Sequence, residues 1–151
     1  EMEEAVKGMA RLNAAASWAA LEAGAHACTD VTGFGLLGHI LNMLPERGLG
    51  CEIHASRLPV YPRVMEMAEM GMIPGGAHKN RDFIGERAVF SEQVDEVTVD
   101  LVNDPQTSGG LLIALPPEGL KVFSEAMTEK AEWVEIGSFG ENAGPVIDIL
   151  P

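Results

Sequence analysis

One stretch, Thr29-Asp30-Val31-Thr32-Gly33-Phe34-Gly35-Leu36-Leu37-Gly38, constrains this chain more than any other. The alternating run from His26 to Val31 has the period of a strand. The apolar run from Leu36 to Leu44 has the length of a buried helix and stops at Pro45 and Gly48. Between them stand an acid and a glycine turn, so the expected order is strand end, carboxylate, turn, helix start. A helix N-terminus offers free backbone N–H groups and the positive end of the helix dipole, both suited to phosphate. A carboxylate at the mouth of a strand suits a hard cation such as Mg²⁺, commonly held by one or two carboxylates together with phosphate oxygens. Asp30 fits equally well as a cap on the turn or helix that follows it. The residues alone leave both roles open.

The rest of the chain alternates helix and strand signals imperfectly. Apolar residues recur at helical spacing from Met2 to Ala23, predicting one long first helix with Gly24 as its C-cap. Strands are expected at Leu49–His54, Leu111–Leu115, Trp133–Phe139 and Val146–Leu150. Helices are expected at Arg63–Met70, at Val94–Leu101, and from Pro116-Pro117 to about Ala131, with proline in the first turn. Ile73-Pro74-Gly75-Gly76 reads as a tight loop, with a helical turn over Asn80–Gly85. Asp104-Pro105-Gln106-Thr107-Ser108-Gly109-Gly110 reads as a polar loop feeding a strand. The fold class this implies is α+β, a mixed β-sheet layered with helices; topology is not legible at this level.

Composition removes several functions. With ten Lys and Arg against 23 Asp and Glu, the net charge is −13, and a nucleic-acid footprint needs the opposite sign. No apolar run approaches the ~20 residues that span a bilayer, and the acidic opening is unlike the basic start of a secretion signal, so a cytoplasmic location is the default. A polyanionic ligand would bind such a domain only through local dipoles, a metal ion or a basic partner surface. The chain opens on Glu1 in helical sequence, as a piece of a longer protein would. Two cysteines, Cys28 and Cys51, make no disulfide framework, and each is expected to be a small buried hydrophobe.

Other chemical patterns are weaker. Gly33, Gly35 and Gly38 match the dinucleotide fingerprint G-x-G-x-x-G, but the acid about 20 residues on should end the second strand. Glu52 falls in the middle of that strand instead, and Asp30 would set a negative charge beside a pyrophosphate. No G-x-x-x-x-G-K-[ST] phosphate loop occurs. His26, Cys28 and Asp30 share one face of a strand, yet separate fates are the simpler reading, since a stable zinc site takes four ligands. Lys79 and Arg81 form a basic cluster beside Gly75-Gly76, which also reads as a solvated loop. The hydroxyls and amides of Asp104, Gln106, Thr107 and Ser108 could touch a ligand or satisfy one another in an Asx-turn.

Taken together, Thr29-Asp30-Val31-Thr32-Gly33-Phe34-Gly35, then Pro74-Gly75-Gly76 with Asn80, then Asp104-Pro105-Gln106-Thr107-Ser108-Gly109-Gly110-Leu111-Leu112 resemble the selenophosphate synthetases (selenide, water dikinases) in order and spacing over nearly the whole chain. The resemblance is to their C-terminal domain, of the AIR-synthase-like group, and implies that residues 1–151 form one such domain. Members of that family make selenophosphate, AMP and orthophosphate from ATP, selenide and water. Their N-terminal domain carries most of the ATP site, the catalytic Lys and the Cys or selenocysteine.

The resemblance implies that this domain covers the cleft and supplies Asp30 as a Mg²⁺ ligand. Thr29, Thr32, Gly33, Phe34 and Gly35 would lie next to the nucleotide phosphates. It implies the N-terminal ATP-binding domain of the same protein, ATP and selenide as partners, and a homodimer at full length. No catalytic nucleophile is expected here, because neither Cys28 nor Cys51 lies in a matching segment. Ala77 stands where a hydroxyl residue is expected after Pro74-Gly75-Gly76. Other readings of the same residues are a non-catalytic binding or regulatory module of this fold and a dinucleotide-binding domain.

Overall fold

The computed structural model describes residues 2–45, 48–127, 132–141 and 146–151. Its helices are α1 (Met2–Ala10), α2 (Ala14–Glu22), α3 (Gly35–Met43), α4 (Val64–Glu69), α5 (Gly75–Ile84), α6 (Glu96–Val102) and α7 (Gly119–Met127). Its strands are β1 (Ala27–Asp30), β2 (Leu49–His54), β3 (Ala88–Phe90), β4 (Leu111–Ala114), β5 (Gly137–Glu141) and β6 (Ile147–Leu150). The strands form two sheets. β1 and β4 pair as an antiparallel ribbon, and the other four make a mixed sheet in the order β3-β6-β2-β5. In that sheet β6 runs parallel to both β2 and β3, while β5 is antiparallel to β2. The architecture is α+β, as expected, with the strands divided between a ribbon and a sheet.

Two aliphatic clusters hold these layers. The larger joins Cys51, Ile53, Ala88, Ile147 and Ile149 of the sheet to Leu37 and Ile40 of α3, Ile84 of α5 and Val102 of α6. The smaller joins Ala19, Ala20 and Ala23 to Phe123 and Met127 of α7. Strand β4 lies between them. Leu112 packs on the first cluster, while Ile113 and Leu115 pack on the second, following the two-residue period of a strand. Small residues let α2 and α7 approach. A side chain at Gly119 would run into the Ala23 carbonyl, so only glycine fits at the start of α7.

Several expectations are corrected. The long first helix is two, parted at Arg11–Asn13, where Arg11 N–H closes a turn on the Gly8 carbonyl and the Asn13 amide reaches the Gly109 carbonyl at 3.4 Å. The tight loop at 73–76 is the start of α5, with Pro74 as its N-cap. Two glycines weaken a helix by about 1 kcal/mol each, but here Gly76 fits against Pro105 and Ala77 is buried, so tertiary packing overrides propensity. The strand expected at Trp133–Phe139 begins only at Gly137; Trp133 instead packs edge-on against Phe123 with ring centroids 5.6 Å apart. Strand β3 had no sequence signal, being three residues long and defined by its pairing to β6. The expected end of α7 near Ala131 lies outside the described residues. Cys28 is exposed rather than buried; Cys51 is buried.

Candidate functional site

β1 ends at Asp30, whose backbone register partner is Leu111 on β4. Beyond it the two strands stay joined through their loops. Val31 N–H donates to the Gly110 carbonyl and Gly109 N–H donates to the Val31 carbonyl, both at 3.0 Å. Thr32 accepts at its carbonyl from the N–H groups of Gln106 and Gly35, again at 3.0 Å. The side-chain amide of Asn80 on α5 donates to the carbonyls of Gly33 (3.0 Å) and Asn103 (2.9 Å). Three segments far apart in sequence are thereby laced into one rim.

The close approach explains the glycines. Gly35 has φ +68°, and a side chain on it would meet the Asn103 backbone at 2.8 Å. A side chain on Gly109 would strike the Val31 carbonyl, and one on Gly38 would press on the Cβ of Phe34 at 2.7 Å. Glycine here serves backbone contact and the start of α3. The dinucleotide reading fails for a topological reason. That fingerprint needs a parallel β–α–β unit, whereas β1 and β2 lie in different sheets.

The predicted site residues fall into two groups on this rim. Asp30, Gly33 and Phe34 are exposed, Thr29 and Thr32 are half-buried, and Gly35 is buried at the foot of α3. The Thr29 hydroxyl is turned along the strand to the Asp30 carbonyl at 3.3 Å. On the facing loop, Gln106, Thr107 and Ser108 are exposed and Asp104 is half-buried. Burial pushes the Asp104 carboxyl above the usual carboxylate range, and the Gln106 amide, donating at 2.8 Å, opposes that shift. A partly desolvated carboxylate of this kind favours a cation or donor arriving beside it.

The other patterns do not converge on the rim. Arg81 is ion-paired with Glu96 and lies 3.9 Å from Asp100, and its hydrogen bond to Glu96 pushes its pKa up. It is engaged within the fold, while Lys79 is exposed. His26, just before β1, and Cys28 and Asp30 on it are all exposed, and among the described residues no three His, Cys, Asp or Glu side chains are grouped to hold a metal ion. Partial burial and the Asp30 charge push the Cys28 thiol up. Burial, Glu52 and Asp148 push Cys51 to about 12. Neither environment favours a thiolate nucleophile.

Sequence reading missed two residues. His39, on the second turn of α3, is 6% exposed and reaches back to Thr32. Thr32 N–H donates to its Nε2 at 2.9 Å, and the Thr32 hydroxyl lies 3.2 Å from the same nitrogen. Asn103, 1% exposed, donates to the Val99 carbonyl at 2.8 Å and anchors the rim with its own carbonyl. Each keeps one buried polar atom, His39 Nδ1 and Asn103 Oδ1, without a partner among the described residues. A histidine seven residues after a threonine carries no recognisable spacing rule; only the turn at Gly33–Gly35 brings the two together.

The chain matches the family AIR synthase related protein, C-terminal domain, over residues 1–149. It belongs to that family. Among similar proteins, the selenide, water dikinase of Pelobacter propionicus is 48% identical over 133 residues, covering 88% of this chain and 38% of that protein. The selenide, water dikinase of Treponema denticola is 43% identical over 132 residues, covering 87% of this chain and 37% of that protein. That of Caldanaerobacter subterraneus is 40% identical over 129 residues, covering 85% and 37%. The chain thus spans somewhat under two fifths of the length of these relatives. Among the described residues, no helix is long and apolar enough to cross a membrane.

Proposed function

We propose that this domain is the cleft-closing half of a selenide, water dikinase, an enzyme that makes selenophosphate, AMP and phosphate from ATP, selenide and water. The observation that carries the reading is the rim itself: the Asp30 turn and the 104–110 loop, hydrogen-bonded side by side, in a chain whose relatives bear that name. An exposed oxygen ligand at a strand end fits Mg²⁺ by donor chemistry, and one carboxylate is a partial set that phosphate oxygens and further carboxylates would complete. Asp30 would hold the ion, which when bound neutralises phosphate charge. Thr32, Gly33 and Gly35 would place the turn against the phosphates, Phe34 would shield it, and the loop from Asp104 to Ser108 would border the cleft. The remaining ligands, the reacting groups and the dimer contacts would come from the N-terminal domain. That partner must also supply positive charge, because a −13 domain repels ATP.

Calorimetry with Mg-ATP tests this. Binding is expected only when the N-terminal domain is added; tight binding by this chain alone would overturn the half-site reading. In the full-length enzyme, Asp30→Asn is expected to lower turnover more than about 100-fold while leaving the melting temperature unchanged. Normal turnover in that variant would remove Asp30 from the mechanism.

A further inference from the structure

We infer that His39 is a positioning residue for Asp30: it fixes the peptide plane that follows the Asp30-Val31 step and so sets where the carboxylate points. The inference rests on the reading that Asp30 holds a cation. Its geometry is independent of that reading. The peptide joining Val31 to Thr32 is held at both edges. Its carbonyl, on Val31, accepts from Gly109 N–H at 3.0 Å, and its N–H, on Thr32, donates to His39 Nε2 at 2.9 Å. The preceding peptide is held too, with Val31 N–H on the Gly110 carbonyl and the Thr29 hydroxyl on the Asp30 carbonyl. The clamps just named on these two peptides, His39 apart, come from the 104–110 loop or from Thr29, and Asn80 and Gly35 hold the carbonyls that follow. His39 comes from the core side, on α3 beside the fully buried Leu37 and Ile40.

A ring nitrogen that accepts an N–H carries no proton, so the arrangement places the imidazole proton on Nδ1. That atom is buried without a partner among the described residues. An apolar side chain would remove this orphan but would leave the Thr32 N–H without its acceptor. What the histidine supplies is an acceptor at one place, beneath the Thr32 N–H. Phe34 packs beside the ring, tilted at 57° with centroids 5.9 Å apart, and Gly38 leaves room for its Cβ. The turn and the imidazole are therefore mutually fixed. Loss of the acceptor frees the peptide plane next after the Asp30–Val31 peptide and leaves the Asp30 carboxylate itself unaltered.

The test uses the full-length protein and three variants. His39→Leu keeps bulk and loses the acceptor. His39→Gln can return a carbonyl oxygen to the place of Nε2. His39→Asn puts one near Nδ1 instead. For His39→Leu, the Mg²⁺ concentration giving half-maximal activity is expected to rise about tenfold, the usual effect of losing a group that orients a metal ligand. kcat at saturating Mg²⁺ should stay within about twofold of the parent, as removal of a ground-state positioning contact predicts. Amide exchange in the peptide covering residues 29–38 should quicken. His39→Gln should restore both readouts and His39→Asn neither, a contrast that stands even if the leucine variant folds poorly. Unchanged exchange and unchanged Mg²⁺ dependence in His39→Leu, or equal behaviour of the Gln and Asn variants, would overturn the inference. Asp30→Asn, measured alongside, separates this failure from that of the cation reading: unaltered Mg²⁺ dependence there overturns the reading itself.

Discussion

Ile147 and Ile149 on β6 and Cys28 and Asp30 on β1 show the same two-residue alternation, yet they stand in opposite environments. The isoleucines are fully buried at the centre of a four-stranded sheet, covered by α3, α5 and α6. Cys28 and Asp30 lie on the open face of a two-stranded ribbon. The sheet is held by aliphatic burial, which is non-directional and tolerates shape changes as long as volume is filled. The rim beyond the ribbon is held by directed hydrogen bonds and by glycines that admit backbone to backbone contact. Such contacts give position rather than bulk stability, which is what a ligand-holding edge requires.

That contrast predicts different failures on the two sides. The largest stability effect belongs to the sheet: Ile149→Ala is expected to cost about 2–5 kcal/mol by chemical denaturation. The folded fraction should keep its Mg²⁺ dependence. A cost below 1 kcal/mol would mean that the core closes around the gap and that the sheet is less tightly packed than its burial implies. Gly35→Ala comes next. The left-handed backbone alone costs about 1–2 kcal/mol for a residue with a side chain, and the methyl must also displace Asn103. Activity should fall further than stability does, because the displaced segment is the rim. A variant with parent-like activity and lowered stability would show that the rim repositions freely and would blur the comparison.

The smallest effect tests the end of α6 that lies away from the rim. Asp95 caps α6 by accepting from Thr98 N–H at 2.8 Å, and that backbone hydrogen bond holds its carboxyl below the usual range. A depressed folded pKa contributes stability that is complete above the unfolded value near pH ~4 and is lost as pH falls through the folded value. Asp95→Ala is expected to cost about 1 kcal/mol at neutral pH and nothing at the lowest pH. A pH-independent difference would show that the cap does not act through its charge. Rim activity at neutral pH should be unaffected, since α6 meets the rim through Asn103 at its other end.

Much of this was legible beforehand. β2 spans the expected strand Leu49–His54 residue for residue, and α3 and β4 fall within a residue of their apolar runs. The three motifs that converge on the rim were each visible, as was the acid at its edge. What was not visible had a common physical cause. The break at Arg11–Asn13, the helix through Gly75-Gly76 and the short β3 all depend on a partner distant in the chain: Gly109 for Asn13, Pro105 for Gly76, Ile147–Ile149 for Ala88–Phe90. Local periodicity carries no information about such partners. Cys28 was misplaced because the preference of a free cysteine for the interior does not say which face of its strand is covered.

The sequence by itself determined most of the elements, among them α3, β2 and β4, because hydrophobic period, proline and glycine act within a few residues. It also determined the chemical types available to the site: an acid, a glycine turn, a polar loop. Only the tertiary structure decided that the strands divide into a ribbon and a sheet, that Arg81 is already paired, and that His39 lies beneath Thr32. Those outcomes rest on which surfaces meet, and surfaces meet through contacts between residues far apart in the chain, where buried area and hydrogen-bond satisfaction outweigh local preference.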